Sequence, residues 1–171
     1  MNYFSSDFKL GILGGGQLGK MLLFDTRKFD IQTYVLDPSD EAPCKIACDQ
    51  FFKGDLMDFE TVYNFGKKVD VLTFEIELVN LDALVKLEDE GLKVYPSPKT
   101  LKLIQNKGIQ KDFYTQHTIP TANYKRFDNL KSLIVDILDS KTKLPFVWKC
   151  TEFGYDGNGV KVIRQISDLD N

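Results

Sequence analysis

A chain of 171 residues that is 43% hydrophobic and 27% charged has the composition of a globular protein able to bury a core. Its formal net charge of -3 supplies no basic field, which argues against duplex nucleic acid as a partner. No apolar run approaches the length needed to span a bilayer, and MNYFSSDFKL at the start lacks the basic and apolar regions of a signal peptide, so no membrane partner and a cytoplasmic location are expected.

Lys9 to Leu13 reads as a short apolar strand, followed at once by Gly14-Gly15-Gly16-Gln17-Leu18-Gly19. Leu18, Met21, Leu22 and Phe29 then keep helical spacing, which makes a strand, a glycine turn and a helix. Gly14, Gly16 and Gly19 meet the G-x-G-x-x-G spacing. Gly14 would allow the tight turn, Gly16 a close approach by ligand and Gly19 close packing of helix on strand, with free N–H groups at the helix start facing an anion. A second strand, Ile31 to Leu36, ends in Asp37, about where a dinucleotide fold places its ribose-binding acid. That keeps a dinucleotide-dependent oxidoreductase open. Cys44, Cys48 and Cys150 are odd in number, and the C-x-x-x-C spacing lacks further Cys or paired His for zinc, so they read as reduced, mostly buried thiols.

Asp58 can cap a helix carrying Phe59, Val62 and Tyr63; Val69 to Phe74 reads as a strand; Leu81, Leu84, Val85 and Leu87 make a helix that Gly91 stops; Lys93 to Tyr95 is a further strand. This alternation predicts an α/β fold with a parallel sheet covered on both faces and ligands at the carboxyl ends of its strands. Thr73-Phe74-Glu75-Ile76-Glu77 lies at such an end. Two acids at i and i+2 point to one side of an extended chain, where they hold a cationic or hydroxyl-bearing ligand or merely open a solvated loop.

Tyr95-Pro96-Ser97-Pro98 leaves the sheet, and Ser97 and Pro98 start a helix with Leu101 and Ile104 inward, Gly108 a weak point, and Lys107 and Lys111 on one face. Ile119-Pro120-Thr121 restarts the chain in extended form. Leu130, Leu133, Ile134, Ile137 and Leu138 give an amphipathic helix expected to pack on a hairpin. The first strand of that hairpin ends in Lys149, and the second is the run Val160, Val162, Ile163. Between them Gly154, Gly157 and Gly159, interleaved with Tyr155, Asp156 and Asn158, can bring N–H groups close to phosphate; an ordinary solvated hairpin with a snorkelling lysine is the alternative. The expected organisation is a first domain over residues 1–100, a helical connector over 101–118 and a second unit over 119–171. His117 is read as a surface residue before a turn.

In this order, GGGQLG from Gly14, Val35-Leu36-Asp37-Pro38, TFEIE from Thr73, Pro96-Ser97-Pro98, QNKGIQK from Gln105, Ile119-Pro120-Thr121, and Lys149 with GYDGNG from Gly154 resemble the 5-(carboxyamino)imidazole ribonucleotide synthetase family, ATP-grasp ligases of purine biosynthesis. The resemblance implies a Rossmann-like pre-ATP-grasp domain followed by the beginning of an α+β ATP-grasp domain. It implies ATP-dependent carboxylation of aminoimidazole ribonucleotide with bicarbonate, with ATP and Mg²⁺ as cofactors and a homodimer as the assembly. Lys107 and Lys149 would then hold ATP phosphates, with Gly154, Tyr155, Asp156, Gly157, Asn158, Gly159 and Val160 as the loop that closes over them. Gly16, Gln17, Leu18, Glu75 and Glu77 would line the ribonucleotide site. Val160 stands where the family usually has Gln, and Lys107 where many relatives have Arg. The family's metal-binding Glu and Asn lie well beyond the loop, so the catalytic and metal residues are expected past Asn171 and this chain is expected to be an N-terminal half that is inactive alone. Two other readings are a non-catalytic binding fragment and a formate-dependent glycinamide ribonucleotide transformylase, which usually carries Glu where Gln17 stands.

Overall fold

The computed structural model describes residues 3, 5–152, 154 and 158–169. The chain forms two compact units, Met1–Lys102 and Leu103–Asn171.

In the first unit the chain runs β1 (Lys9–Leu13), α1 (Gln17–Thr26), β2 (Gln32–Asp37), β3 (Gln50–Lys53), α2 (Phe59–Gly66), β4 (Val71–Phe74), α3 (Leu81–Asp89), β5 (Lys93–Tyr95) and into α4 (Pro98–Gln105). The five strands form one sheet in the order β3-β2-β1-β4-β5, every neighbouring pair parallel. β1 is central: Leu10 is in register with Thr33 of β2 on one side and Val71 of β4 on the other. The α/β parallel-sheet expectation holds. β3 is the strand that the sequence reading lacks, because Gln50–Lys53 carries only two adjacent half-buried Phe between polar ends and shows no alternation.

Alternating side chains of the buried strands feed two apolar layers. Ile12 and Val35 pack with Leu23 of α1 and Cys44 on one face. Leu13, Leu36 and Leu72 pack on the other with Val62 and Phe65 of α2, Leu84 and Leu87 of α3, and Leu101 of α4. Asp58 caps α2 by accepting from Thr61 N–H, and Asn80 caps α3 by accepting from Ala83 N–H, which fixes where each helix begins. On α1 the buried residues are Gly19, Leu23 and Thr26, and the stripe of Leu18, Met21 and Leu22 that announces the helix faces outward.

The helix expected to run on from Pro98 with a weak point at Gly108 breaks two residues earlier. α5 spans Lys107–Gln116, and Asn106 between the helices has extended backbone and accepts from Ile109 N–H as an N-cap. Gly108 sits inside α5, where a Cβ would lie 2.9 Å from Arg126 Nε, so its role is to let that side chain pass rather than to weaken the helix. Ile104, expected inward, is 39% exposed. His117 is exposed at the end of α5.

α6 (Leu130–Leu138) buries Leu133 and Ile137 and leaves Leu130 and Leu138 exposed. β6 (Phe146–Lys149) and β7 (Val160–Ile163) form the expected antiparallel hairpin, Lys149 opposite Val160 and Cys150 N–H donating to the Gly159 carbonyl. The three cysteines are free thiols; Cys44 is buried as expected, while Cys48 and Cys150 are only half-buried. No helix among the described residues is long and apolar enough to cross a membrane.

A polar knot ties α2 to the end of α3: Glu90 accepts from Tyr63 Oη at 2.9 Å and Lys67 Nζ at 3.0 Å and pairs with Lys86 at 3.2 Å. Lys67, then Tyr63 and Lys86, hold its carboxyl down at about 2 from the ordinary 4.5. A depressed folded-state value means the contribution is present above about pH 4.5 and is lost as pH falls through about 2. Glu90→Gln should therefore lower stability slightly at pH 7, the group being solvent-accessible, with the deficit shrinking below pH 4.5 in urea melts; a deficit that does not change with pH contradicts the assignment.

Candidate functional site

β1 leads into α1 on one face of the sheet and β4 into α3 on the other, so their carboxyl ends separate and leave a crevice between them. A cleft of about 250 Å³ opens there, lined by Ile12, Leu18, Gly19 and Leu22 from β1 and α1 and by Thr73, Phe74 and Glu75 from the end of β4.

The glycine turn forms one wall and is held at several points. Gly14 has φ +94°, and its N–H donates to the Leu36 carbonyl at 2.9 Å. Gly15 N–H donates to Asp37 Oδ2 at 2.7 Å, and the Gly15 carbonyl accepts from Cys44 N–H at 3.0 Å. Cys44 Sγ lies 3.7 Å from the Gly16 carbonyl. Burial first, then the Cys48 thiol and the Glu75 and Asp37 carboxylates, push the Cys44 thiol up to about 11, so it stays protonated at neutral pH and is a weak donor rather than a nucleophile.

Glu75 forms the opposite wall. Its N–H donates to the Leu13 carbonyl at 2.8 Å, extending the β1–β4 ladder by one bond and turning the side chain toward the glycines. A Cβ at Gly14 would stand 2.8 Å from Glu75 Oε2, and one at Gly16 would stand 2.9 Å from Oε1. Only glycines leave room for a carboxylate laid across the turn.

This geometry bears on two expectations. The sequence reading has Gly16 leaving room for a ligand and the turn facing an anion; the Glu75 carboxylate lies close against the turn at Gly14 and Gly16. The same reading leaves Asp37 free for a ribose, but its two oxygens accept from Gly15 N–H and from Ser39 N–H at 2.8 Å. With a carboxylate over the turn and the acid engaged by backbone, the dinucleotide oxidoreductase loses both features that kept it open. Sequence reasoning missed the clamping role of Asp37, along with Leu22 and Cys44. The hydrophobic pattern marked these positions only as strand end, helix and core.

Leu18 lies in the cleft, Gln17 is exposed at the first turn of α1, and Gly16 is the N-cap, with no side-chain capping bond. Glu77 is half-buried and is not among the cleft residues. Residues 75–77 are bends rather than strand, so the i, i+2 argument does not hold for them.

The second unit brings another set of expected residues together. Lys107 at the start of α5 donates from its backbone N–H to the Thr151 carbonyl at 2.8 Å and from Nζ to the Gly154 carbonyl at 2.7 Å. Asn106 Nδ2 donates to Glu152 Oε1 at 2.7 Å. Lys111 leaves this group for Thr121 Oγ1 and the Tyr124 ring. Lys149 is exposed and shares a face with Val147, Val160 and Val162 of the hairpin. Gly159 has φ +67° and Asn158 is exposed beside it; Tyr155, Asp156 and Gly157 lie outside the described residues. Among the described residues no group of three or more His, Cys, Asp or Glu is placed to hold a metal ion.

Residues 8–105 match the family profile of the ribonucleotide synthetase pre-ATP-grasp domain. Phosphoribosylaminoimidazole carboxylase of Ogataea methanolica is 35% identical over 161 residues, covering 92% of this chain and 30% of that protein. The carboxyaminoimidazole ribonucleotide synthase of Aspergillus clavatus, solved with ATP, superposes with a TM-score of 0.87 at 31% identity over 99% of this chain and 44% of its own. The N5-carboxyaminoimidazole synthase of the same organism, solved with ADP and 5-aminoimidazole ribonucleotide, has a TM-score of 0.84 at 30% identity over 99% and 43%. The chain thus spans less than half the length of these proteins.

The turn supplies its own test. Gly14 and Gly91 have nearly the same positive φ, but nothing stands within 4 Å of a Cβ at Gly91. Both Gly→Ala changes carry backbone strain of about 1–3 kcal/mol. Gly14→Ala should cost more than Gly91→Ala in urea denaturation because its Cβ alone meets Glu75 Oε2 at 2.8 Å and Ile76 Cγ2 at 3.1 Å; equal costs would mean that these side chains do not lie against the turn.

Proposed function

The chain belongs to the ribonucleotide synthetase pre-ATP-grasp domain family, and on that basis we propose that it forms the ribonucleotide-binding domain and the first part of the ATP-binding unit of a 5-(carboxyamino)imidazole ribonucleotide synthetase. The observation that carries the reading is the Glu75 carboxylate laid over the glycine turn at the mouth of the β1–β4 cleft. A carboxylate there accepts hydrogen bonds from amine or hydroxyl groups and repels phosphate, which suits the ribose and exocyclic amine of aminoimidazole ribonucleotide. Gly16, Gln17 and Leu18 present the free N–H groups of the first turn of α1, an amide and an apolar surface beside it. Glu77, two residues further along the chain, is assigned to the edge of the same site.

The reaction has two steps. A bicarbonate oxygen attacks the γ-phosphorus of ATP, ADP leaves, and carboxyphosphate is formed. The exocyclic amine then attacks the carboxyl carbon, the bond to the phosphate oxygen breaks, phosphate departs and the nitrogen gives up a proton. Both steps need alignment and charge neutralisation more than a protein nucleophile, in keeping with a thiol at Cys44 that stays protonated. Lys149, with the loop of Gly154, Tyr155, Asp156, Gly157, Asn158, Gly159 and Val160, is assigned to the phosphates of ATP. Lys107 is assigned there too; its hold on the Gly154 carbonyl sets where that loop begins. Mg²⁺ accompanies ATP in such transfers, but the described residues offer no acidic cluster to hold it, and neither lysine nor Glu75 acts through it.

Separate titrations of the two ligands by calorimetry test the assignment. Glu75→Ala should weaken aminoimidazole ribonucleotide and leave ATP nearly unchanged, and Lys149→Met should do the reverse. Each loses one charge-assisted contact, about 1.5–3 kcal/mol or about ten- to a hundredfold in affinity. Loss of both ligands on either substitution would mean that the residue serves the fold instead.

A further inference from the structure

We propose that Asp37 is the positioning residue that sets the glycine turn for the ribonucleotide, acting through Gly15 and touching no ligand itself. This rests on the β1–β4 cleft being the ribonucleotide site.

Asp37 is the last residue of β2, and its carboxylate bridges two loops. Oδ2 accepts from Gly15 N–H in the turn after β1, and Oδ1 accepts from Ser39 N–H two residues beyond the strand. Cys44, farther along the same β2–β3 connection, grips the other side of Gly15 by donating its N–H to the Gly15 carbonyl. Gly15 is therefore held through both its N–H and its C=O by residues 37–44, while Gly14 N–H is held by Leu36.

The grip matters because of what lies on either side of Gly15. Before it, Gly14 at φ +94° has the widest backbone freedom of any residue type. After it, Gly16 is the N-cap of α1; its carbonyl accepts from Lys20 N–H at 3.0 Å, but no side-chain cap adds to the hold on the first turn that carries Gln17 and Leu18. Three consecutive glycines would sample several turns, and the one held here places Gly16 against Glu75 and Leu18 in the cleft. A turn held in its binding geometry before the ligand arrives does not lose that freedom on binding, and the difference is read as affinity. Asp37 is not among the residues lining the cleft, and both its oxygens are engaged with the chain, so it works through the backbone.

The opposite end of β2 supplies a control of the same chemistry. Asp49 accepts from Thr33 N–H at 2.7 Å and Thr33 Oγ1 at 2.8 Å and pairs with Arg27 at 3.1 Å. It clamps backbone as Asp37 does, but at the amino ends of the strands, away from the crevice.

The test is a titration of aminoimidazole ribonucleotide into the 171-residue chain followed by ¹H–¹⁵N NMR, which reads Kd from shifting peaks and the folded fraction from the spectrum independently. Asp37→Asn is isosteric but sets an amide donor against one of the two N–H groups. It should raise Kd about tenfold, as expected for one charge-assisted bond, with the folded fraction unchanged. Asp49→Asn should lower the melting temperature and leave Kd within about twofold. A reduced folded fraction with unaltered Kd in Asp37→Asn would make the residue merely structural and overturn the proposal, as would equal effects on Kd from both variants. In the unmutated chain the Gly15 amide should be protected from hydrogen exchange; free exchange there overturns the clamp without any variant. No binding by the unmutated chain overturns the ribonucleotide reading as well, whereas binding that is lost in Glu75→Ala and kept in Asp37→Asn removes the clamp alone.

Discussion

The hydrogen bonding of β1 on both edges constrains everything else in the first unit. β1 crosses over to β2 on one side and β4 crosses over to β5 on the other, and right-handed crossovers that run in opposite directions put their helices on opposite faces of the sheet. α1 goes to the layer of Ile12, Leu23 and Val35, and α3 to the layer of Leu72, Leu84 and Leu87. The two chains part at their carboxyl ends, and the cleft is the space they leave. Apolar burial on both faces makes this arrangement stable, since Ile12, Leu13, Leu72, Leu84 and Leu87 are all fully buried.

Within that space two carboxylates meet one turn of backbone and do different work. Asp37 reaches it from the β2 side and is satisfied by two N–H groups. Glu75 reaches it from the β4 side and lies across Gly14 and Gly16, facing the opening. Placing both acids at one glycine turn disfavours a phosphate there, and the same two charges help to keep Cys44 a thiol. A G-x-G-x-x-G spacing fixes only that glycines are needed at these positions. Whether they accommodate a ligand's phosphate or the protein's own carboxylate depends on what the neighbouring strand ends with.

The second unit shows a similar economy. Asn106 ends one helix, caps the next and holds Glu152, so the residue that breaks the helical run also sets Lys107 against Gly154. The hairpin keeps Lys149 on a face with Val147, Val160 and Val162, and those three valines are 41–54% exposed.

By itself the sequence determined the fold class and most of its elements. Apolar runs, 3.6-residue hydrophobic spacing, the cap Asp58 and the glycine turn are local signals, each readable within one turn or one strand. The ordered motifs were likewise legible, and with them the family and the prominence of Glu75, Lys107 and Lys149. Only the tertiary structure decided which face of α1 is covered, where the helix after Pro98 breaks, that Gln50–Lys53 joins the sheet as its edge, and that Asp37 serves Gly15 instead of a ribose. Each of these depends on a partner distant in the chain: Asp37 lies 22 residues from Gly15, and Glu75 meets Gly14 only because β4 pairs with β1. A side chain's role at such a site is set by which backbone groups the fold brings to it, and no local pattern carries that information.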